Sequence, residues 1–152
     1  MVLALHINDF SEHLSKKVHN LSTDSIRIAL SNTAPSAQAS NPTLSNNGIL
    51  ANVTQIAYTN YADTLAVDRV LEGVTSEETA GNLKFDANDF TISASGGALA
   101  TFRYIYIFND TATVAVDALI CCIDNEAAIT LADGESLSVQ FNAAGIVVVT
   151  KV

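Results

Sequence analysis

Three histidines, two adjacent cysteines and a few neighbouring carboxylates are the residues of this 152-residue chain whose types could do chemistry. His6, His13 and His19 could bind a transition metal or move protons. A metal-binding helix face places two histidines four residues apart, but His13 and His19 are six apart, on opposite sides of a helix. All three lie in the first 20 residues, and a hydrolytic triad needs a nucleophile, a base and an orienting group that converge; they read as exposed or internally satisfied rings. Asp86-Ala-Asn-Asp89 offers oxygens of the kind calcium takes, yet it lacks the spacing of a calcium loop and reads as a turn between strands. Glu77 and Glu78 are adjacent and cannot face each other across a cleft as a glycosidase pair does. Gly96-Gly97 lacks both the spacing of a phosphate-binding glycine loop and a helix after it. Cys121 and Cys122 point to opposite faces of a strand and have no CxxC-like partners. Both read as reduced, buried small hydrophobes, consistent with assembly in a reducing cytoplasm. The expectation is no catalytic residue, no metal and no cofactor.

The charge balance narrows the classes further. Sixteen acidic residues against seven basic ones leave a net charge of −9, and only Lys16 and Lys17 are adjacent cations. Nucleic-acid binding draws on Lys and Arg that neutralise phosphates, so no nucleic-acid partner is expected, and the acidity serves solubility. Charged residues make up 15% of the chain, below the usual level of about 25%. Ser, Thr and Asn must therefore carry the polar surface, which suits a β-protein partly covered by neighbours. The length fits one domain, residues 1–152, large enough to bury roughly 68–70% of its unfolded surface. No apolar run approaches the roughly 20 residues that span a bilayer. The apolar start, residues 1–5, lacks a basic stretch or cleavage site, so no membrane role or leader is expected and the sequons at Asn20, Asn52 and Asn109 carry no meaning.

The elements that position these residues follow from periodicity. Asp9 and Glu12 have capping-box spacing, and Phe10, Leu14, Val18 and Leu21 follow at helical intervals, predicting an amphipathic helix over 9–21. Ile26-Arg-Ile-Ala-Leu30 alternates as a strand. Residues 31–48 lose all periodicity and hold both prolines, Pro35 and Pro42; a loop of that length has a functional role or is disordered, here as a strap along a neighbouring subunit. Further strands are expected at 50–58, 64–71, 83–85, 90–94, 102–108, 118–123, 136–141 and 146–151. The 102–108 strand puts Phe102, Tyr104, Tyr106 and Phe108 on one face and Arg103, Ile105 and Ile107 on the other, so it belongs in the middle of a sheet or beneath a partner. Eight to nine short strands with one N-terminal amphipathic helix make the expected fold mainly β, a β-sandwich or jelly-roll-like domain.

Several segments, in this order and spacing, carry a resemblance. His19-Asn-Leu-Ser-Thr-Asp24 leads into Ile28-Ala-Leu-Ser-Asn-Thr-Ala-Pro35 and Ile49-Leu-Ala-Asn-Val-Thr-Gln-Ile56. Phe85-Asp-Ala-Asn-Asp-Phe-Thr-Ile-Ser-Ala-Ser-Gly-Gly97, Phe102-Arg-Tyr104, Asn109-Asp-Thr111, Asp117-Ala-Leu-Ile120 and Ile129-Thr-Leu-Ala-Asp-Gly-Glu135 complete the series. From about residue 10 to residue 148 the chain resembles small virion structural proteins of tailed bacteriophages, most like capsid decoration (cement) proteins. Relatives tend to carry tryptophans where this chain has Cys121-Cys122, so no aromatic contact carries over to that strand.

The resemblance implies a structural protein of the virion, mounted on the capsid exterior after assembly in the bacterial host cytoplasm. Its partners would be the major capsid protein and itself, as a trimer or dimer. Phe10, Leu14 and Val18 on the helix, with Pro35, Pro42 and Leu44 in the long loop, are the candidate partner-interface residues. The alternatives are a phage tail or receptor-binding component and a carbohydrate-binding β-sandwich module. Copy number per particle separates the first from a decoration protein, and a glycan array tests the second.

Overall fold

The central strands form where apolar side chains are shielded on both faces. The computed structural model describes residues 4–35, 48–65 and 67–150. Among them are ten strands and one short α-helix, giving a mainly β fold. The strands are β1 (Ala4–His6), β2 (Ile26–Ser31), β3 (Tyr61–Asp63), β4 (Thr75–Thr79), β5 (Asn82–Asp86), β6 (Phe90–Ala94), β7 (Phe102–Asn109), β8 (Ala118–Ile129), β9 (Ser136–Val139) and β10 (Val147–Val149). They are distributed over three antiparallel sheets, ordered β1-β8-β7-β2, β10-β5-β4 and β3-β6-β9.

The aromatic strand β7 lies between β2 and β8, as its two apolar faces require. Phe102, Tyr104, Tyr106 and Phe108 are all buried, and so are Ile105 and Ile107 opposite them. Burying such side chains stabilises the fold by about 1.5–3 kcal/mol each. Tyr106 satisfies its hydroxyl by donating to the Thr33 carbonyl at 2.7 Å. These rings belong to the chain's own core, so they are not available as the self-association surface that their stripe suggested.

The β7–β8 register slips between Phe102, opposite Ile129, and Tyr104, opposite Asp124. Residues 125–128 therefore bulge outward, with Glu126 at φ 62°. Arg103 holds the base of the bulge by donating Nε and Nη2 to the two oxygens of Asp124 at 2.7 and 2.8 Å. That pairing keeps the Asp124 carboxyl below its usual range. The loop that opens into β7 depends on glycine: Gly97 has φ 143°, and a Cβ there would fall 2.7 Å from the side-chain nitrogen of Asn60.

Two expected strands do not form. Residues 50–58 begin with a 3-10 turn at Leu50–Asn52 and touch β2 through one bridge, Ser31 to Gln55. Residues 64–71 contain Asp68 and Arg69 at φ 63° and 62°, which break the extended path. That segment meets β2 at a single bridge, Arg27 to Val70. Strands β1, β3 and β4 lie outside the predicted set. β8 runs past its expected end at residue 123, and β9 and β10 are shorter than their alternation suggested.

The helix α1 spans Phe10–Ser15, six residues against the thirteen of 9–21. Lys17 adopts φ 60°. Its N–H bonds the Leu14 carbonyl at 3.2 Å, and the Val18 N–H bonds the His13 carbonyl at 2.9 Å. This pair of bonds is the left-handed turn that closes many helices. The capping box is also absent: Asp9 makes no side-chain cap and instead accepts the Gly48 N–H at 3.0 Å. Glu12 pairs with Lys16.

Candidate interaction surface

The left-handed turn at Lys17 sends the chain back into the body of the molecule and carries His19 inside. His13 and His19 are both buried. Their rings meet edge to face at 5.6 Å, and Phe10 packs on His19 at 5.3 Å. His13 Nδ1 and His19 Nε2 have no hydrogen-bond partner. Burial, with His13 adjacent, lowers the His19 pKa to about 4, although Asp24 works the other way. The ring is thus neutral at neutral pH. No group of three or more His, Cys, Asp or Glu side chains among the described residues is arranged to hold a metal ion.

Asn109, fully buried at the end of β7, ties this region together. Its amide donates to Asp24 Oδ2 at 2.6 Å and lies 3.2 Å from His19 Nδ1. Its carbonyl oxygen accepts the Thr111 N–H at 2.9 Å, and Thr111 Oγ1 accepts the Ser25 N–H at 2.8 Å. Arg27 pairs with Asp110 at 2.9 Å. At the far end of the 110–117 loop, the Asp117 carbonyl accepts the Leu50 N–H at 3.0 Å.

Between these two anchors the loop presents most of its side chains to water, with Ala112 buried. Val114 is 73% exposed and Val116 58%. Ala115 and Asp117 adopt φ 52° and 54°, conformations that cost an L-residue roughly 1–2 kcal/mol. Val114 borders two shallow hollows against the helix turn. One, of about 300 Å³, is lined by Lys17, Val18, Asp24 and Val114 among others. The other, of about 210 Å³, is lined by His13, Lys16, Val18 and Val114 among others. The loop thus holds two apolar side chains in water between its anchors.

The predicted interface residues fall in different places. Phe10 is 1% exposed and belongs to the core, where a partner cannot touch it. Leu14 is half-buried and packs on that core. Val18 is also half-buried and lines both hollows. Pro35 is buried. Pro42 and Leu44, with most of the long loop, lie outside the described residues. Among the described candidates only Val18 lines these hollows, while Val114 and Val116, the most exposed apolar residues of the loop, were missed. Thr111-Ala-Thr-Val-Ala-Val116 gives no sign in sequence that its valines face water.

Of the other residues that could have done chemistry, the cysteines are enclosed in the core and two of the aspartates are paired. Cys121 and Cys122 are free and buried; burial pushes the Cys121 thiol up to about 12 and raises that of Cys122 as well. Asp86 pairs with Lys84 at 2.9 Å, and Asp89 accepts the Phe141 N–H at 2.8 Å. Among the described residues no helix is long and apolar enough to cross a membrane. No family model, curated protein or solved structure matches the chain.

Proposed function

We propose that this chain is a non-catalytic structural protein of a tailed-bacteriophage particle, a capsid decoration protein that binds the outside of the shell and bridges neighbouring major capsid protein subunits. Assembly takes place in the host cytoplasm. The observation that carries the reading is the anchored 110–117 loop with its two exposed valines, taken together with the resemblance of the segments quoted above. A decoration protein stabilises a shell by adding buried area across its joints. Specific interfaces bury about 1,200–2,000 Å² in total, and linked repetition multiplies a modest affinity. The three-sheet body supplies a scaffold, and the loop supplies desolvated contact. With a net charge of −9, the protein would be repelled by the packaged genome rather than bound to it.

The copy number per purified particle, measured against the major capsid protein by quantitative mass spectrometry, tests this reading. Hundreds of copies at a fixed ratio are expected, whereas a handful would move the protein to the tail. Val114→Asp combined with Val116→Asp should lower occupancy on undecorated shells at least about tenfold while leaving the fold intact. Undiminished occupancy would remove the loop from the contact.

A further inference from the structure

Asn109 decides which nitrogen of His19 carries the ring proton. Its carbonyl oxygen accepts the Thr111 N–H, so its amide nitrogen is the atom that faces His19 Nδ1 and Asp24 Oδ2. An amide nitrogen only donates, so Nδ1 is the acceptor and the single ring proton sits on Nε2. A second proton would have to go to Nδ1, setting one N–H against another. No local adjustment removes that conflict. Turning the amide over would place its oxygen against the Asp24 carboxylate and leave the buried end of the Thr111 bond facing a donor. Asp24 Oδ2 is itself committed, since it accepts from Asn109 and from the Asn20 N–H at 2.7 Å. Of the elements around the ring, α1 contributes His13, the turn after it contributes Lys17 and Asp24, and β4 and β5 contribute the uncharged Ser76 and Leu83.

We infer that His19, Asn109 and Asp24 form a proton-operated latch: a proton taken from water by His19 drives the ring out of its place and frees the Asn109 end of the 110–117 loop, while the β2-β7-β8 sheet stays folded. The exit lies beside the ring, where a hollow of about 430 Å³ is lined by His19, Lys17, Leu21 and Ser22 among others. The hinge is Lys17, already in a left-handed conformation at φ 60°. Loss of the ring takes a partner from Asn109, whose oxygen orders Thr111, whose hydroxyl in turn holds the Ser25 N–H. The far anchor, from Leu50 to Asp117, is untouched, so the loop is released at one end only. Burial and the neighbouring His13 hold the folded ring's pKa down to about 4, against 6.5 in water. Between those values the open form binds more protons, so opening gains about tenfold in population for each pH unit of acidification. The latch does not depend on the capsid reading, because it is tested on the free protein.

Native-state hydrogen exchange across this pH range, corrected for the intrinsic rate at each pH, tests the latch, together with the nitrogen chemical shifts of the His19 ring. The shifts should place the proton on Nε2 at neutral pH. The amides of Val18, Ser25 and Thr111 should exchange through one shared local opening, faster than the amides of β7 and β8. Their protection should fall about tenfold per pH unit. In His19→Gln, whose side-chain oxygen can still accept from Asn109 but takes no proton, that pH dependence should vanish; should the variant fail to fold, exchange and ring shifts in the unaltered protein still decide. A ring proton on Nδ1, exchange of the three amides only together with β7 and β8, protection that ignores pH, or a pH dependence that survives His19→Gln would each overturn the inference.

Discussion

The centre of the four-stranded sheet and the end of the molecule around α1 and the 110–117 loop hold their shape by different means. In β7 and β8, shape follows from burial: a run of aromatic and branched side chains is hidden on both faces, and strand pairing satisfies the backbone. At the helix end, shape follows from hydrogen bonds. Asn109, Asp24, His19 and Thr111 fix a loop whose own valines contribute little to the core. The first region is intolerant of lost volume. The second should be sensitive to pH and tolerant of change in its exposed side chains. The difference shows how one chain can keep a rigid body and still hold apolar groups in water.

Removing volume from the sheet gives the sharpest contrast. Phe102→Ala should destabilise the protein by about 3–5 kcal/mol, read as a lower urea midpoint. A loss under about 1 kcal/mol would mean that the sheet is packed no more tightly than the helix end.

Acid should act at the helix end. The unfolded His19 takes a proton near 6.5, but the folded ring resists until about 4. Across that window the unfolded state binds more protons, so stability rises with pH and falls on acidification. The loss should reach about 3 kcal/mol by pH 4. His19→Gln should flatten the slope in a urea titration at several pH values. An unchanged slope would assign the acid sensitivity to another group and break the comparison.

The smallest effect concerns backbone strain in the loop. Ala115→Gly relieves a left-handed conformation and should raise stability by up to about 1 kcal/mol, measured by thermal unfolding. A clear loss would mean that the Ala115 methyl packs on the helix turn.

Much of the first region was legible in sequence, and little of the second. β2, β5, β6 and β7 follow from alternation because burial on a pleated strand imposes it. The same pattern misled at 50–58 and 64–71, where the 3-10 turn at Leu50–Asn52 and the left-handed Asp68 and Arg69 reverse the chain despite β-forming neighbours. Helical spacing through Val18 and Leu21 persisted beyond the true end of α1, since Leu21 is still buried and Val18 half-buried after Lys17 turns the chain. β4 gave no signal, because Thr75-Ser-Glu-Glu-Thr79 lies largely in water. The candidate surface depends on two anchors distant in sequence, Asn109 to Asp24 and Leu50 to Asp117, and no local pattern reports either of them.

The adjacent thiols of β8 act as a clock. Cys121 and Cys122 face opposite sides of the most central strand pair, sealed in and held protonated by burial. A thiol reagent can reach them only when the sheet itself parts, so the rate of labelling counts openings of the body and ignores motion at the helix end. For a protein whose proposed task is to persist on a pressurised shell, that waiting time measures endurance more directly than an equilibrium midpoint does.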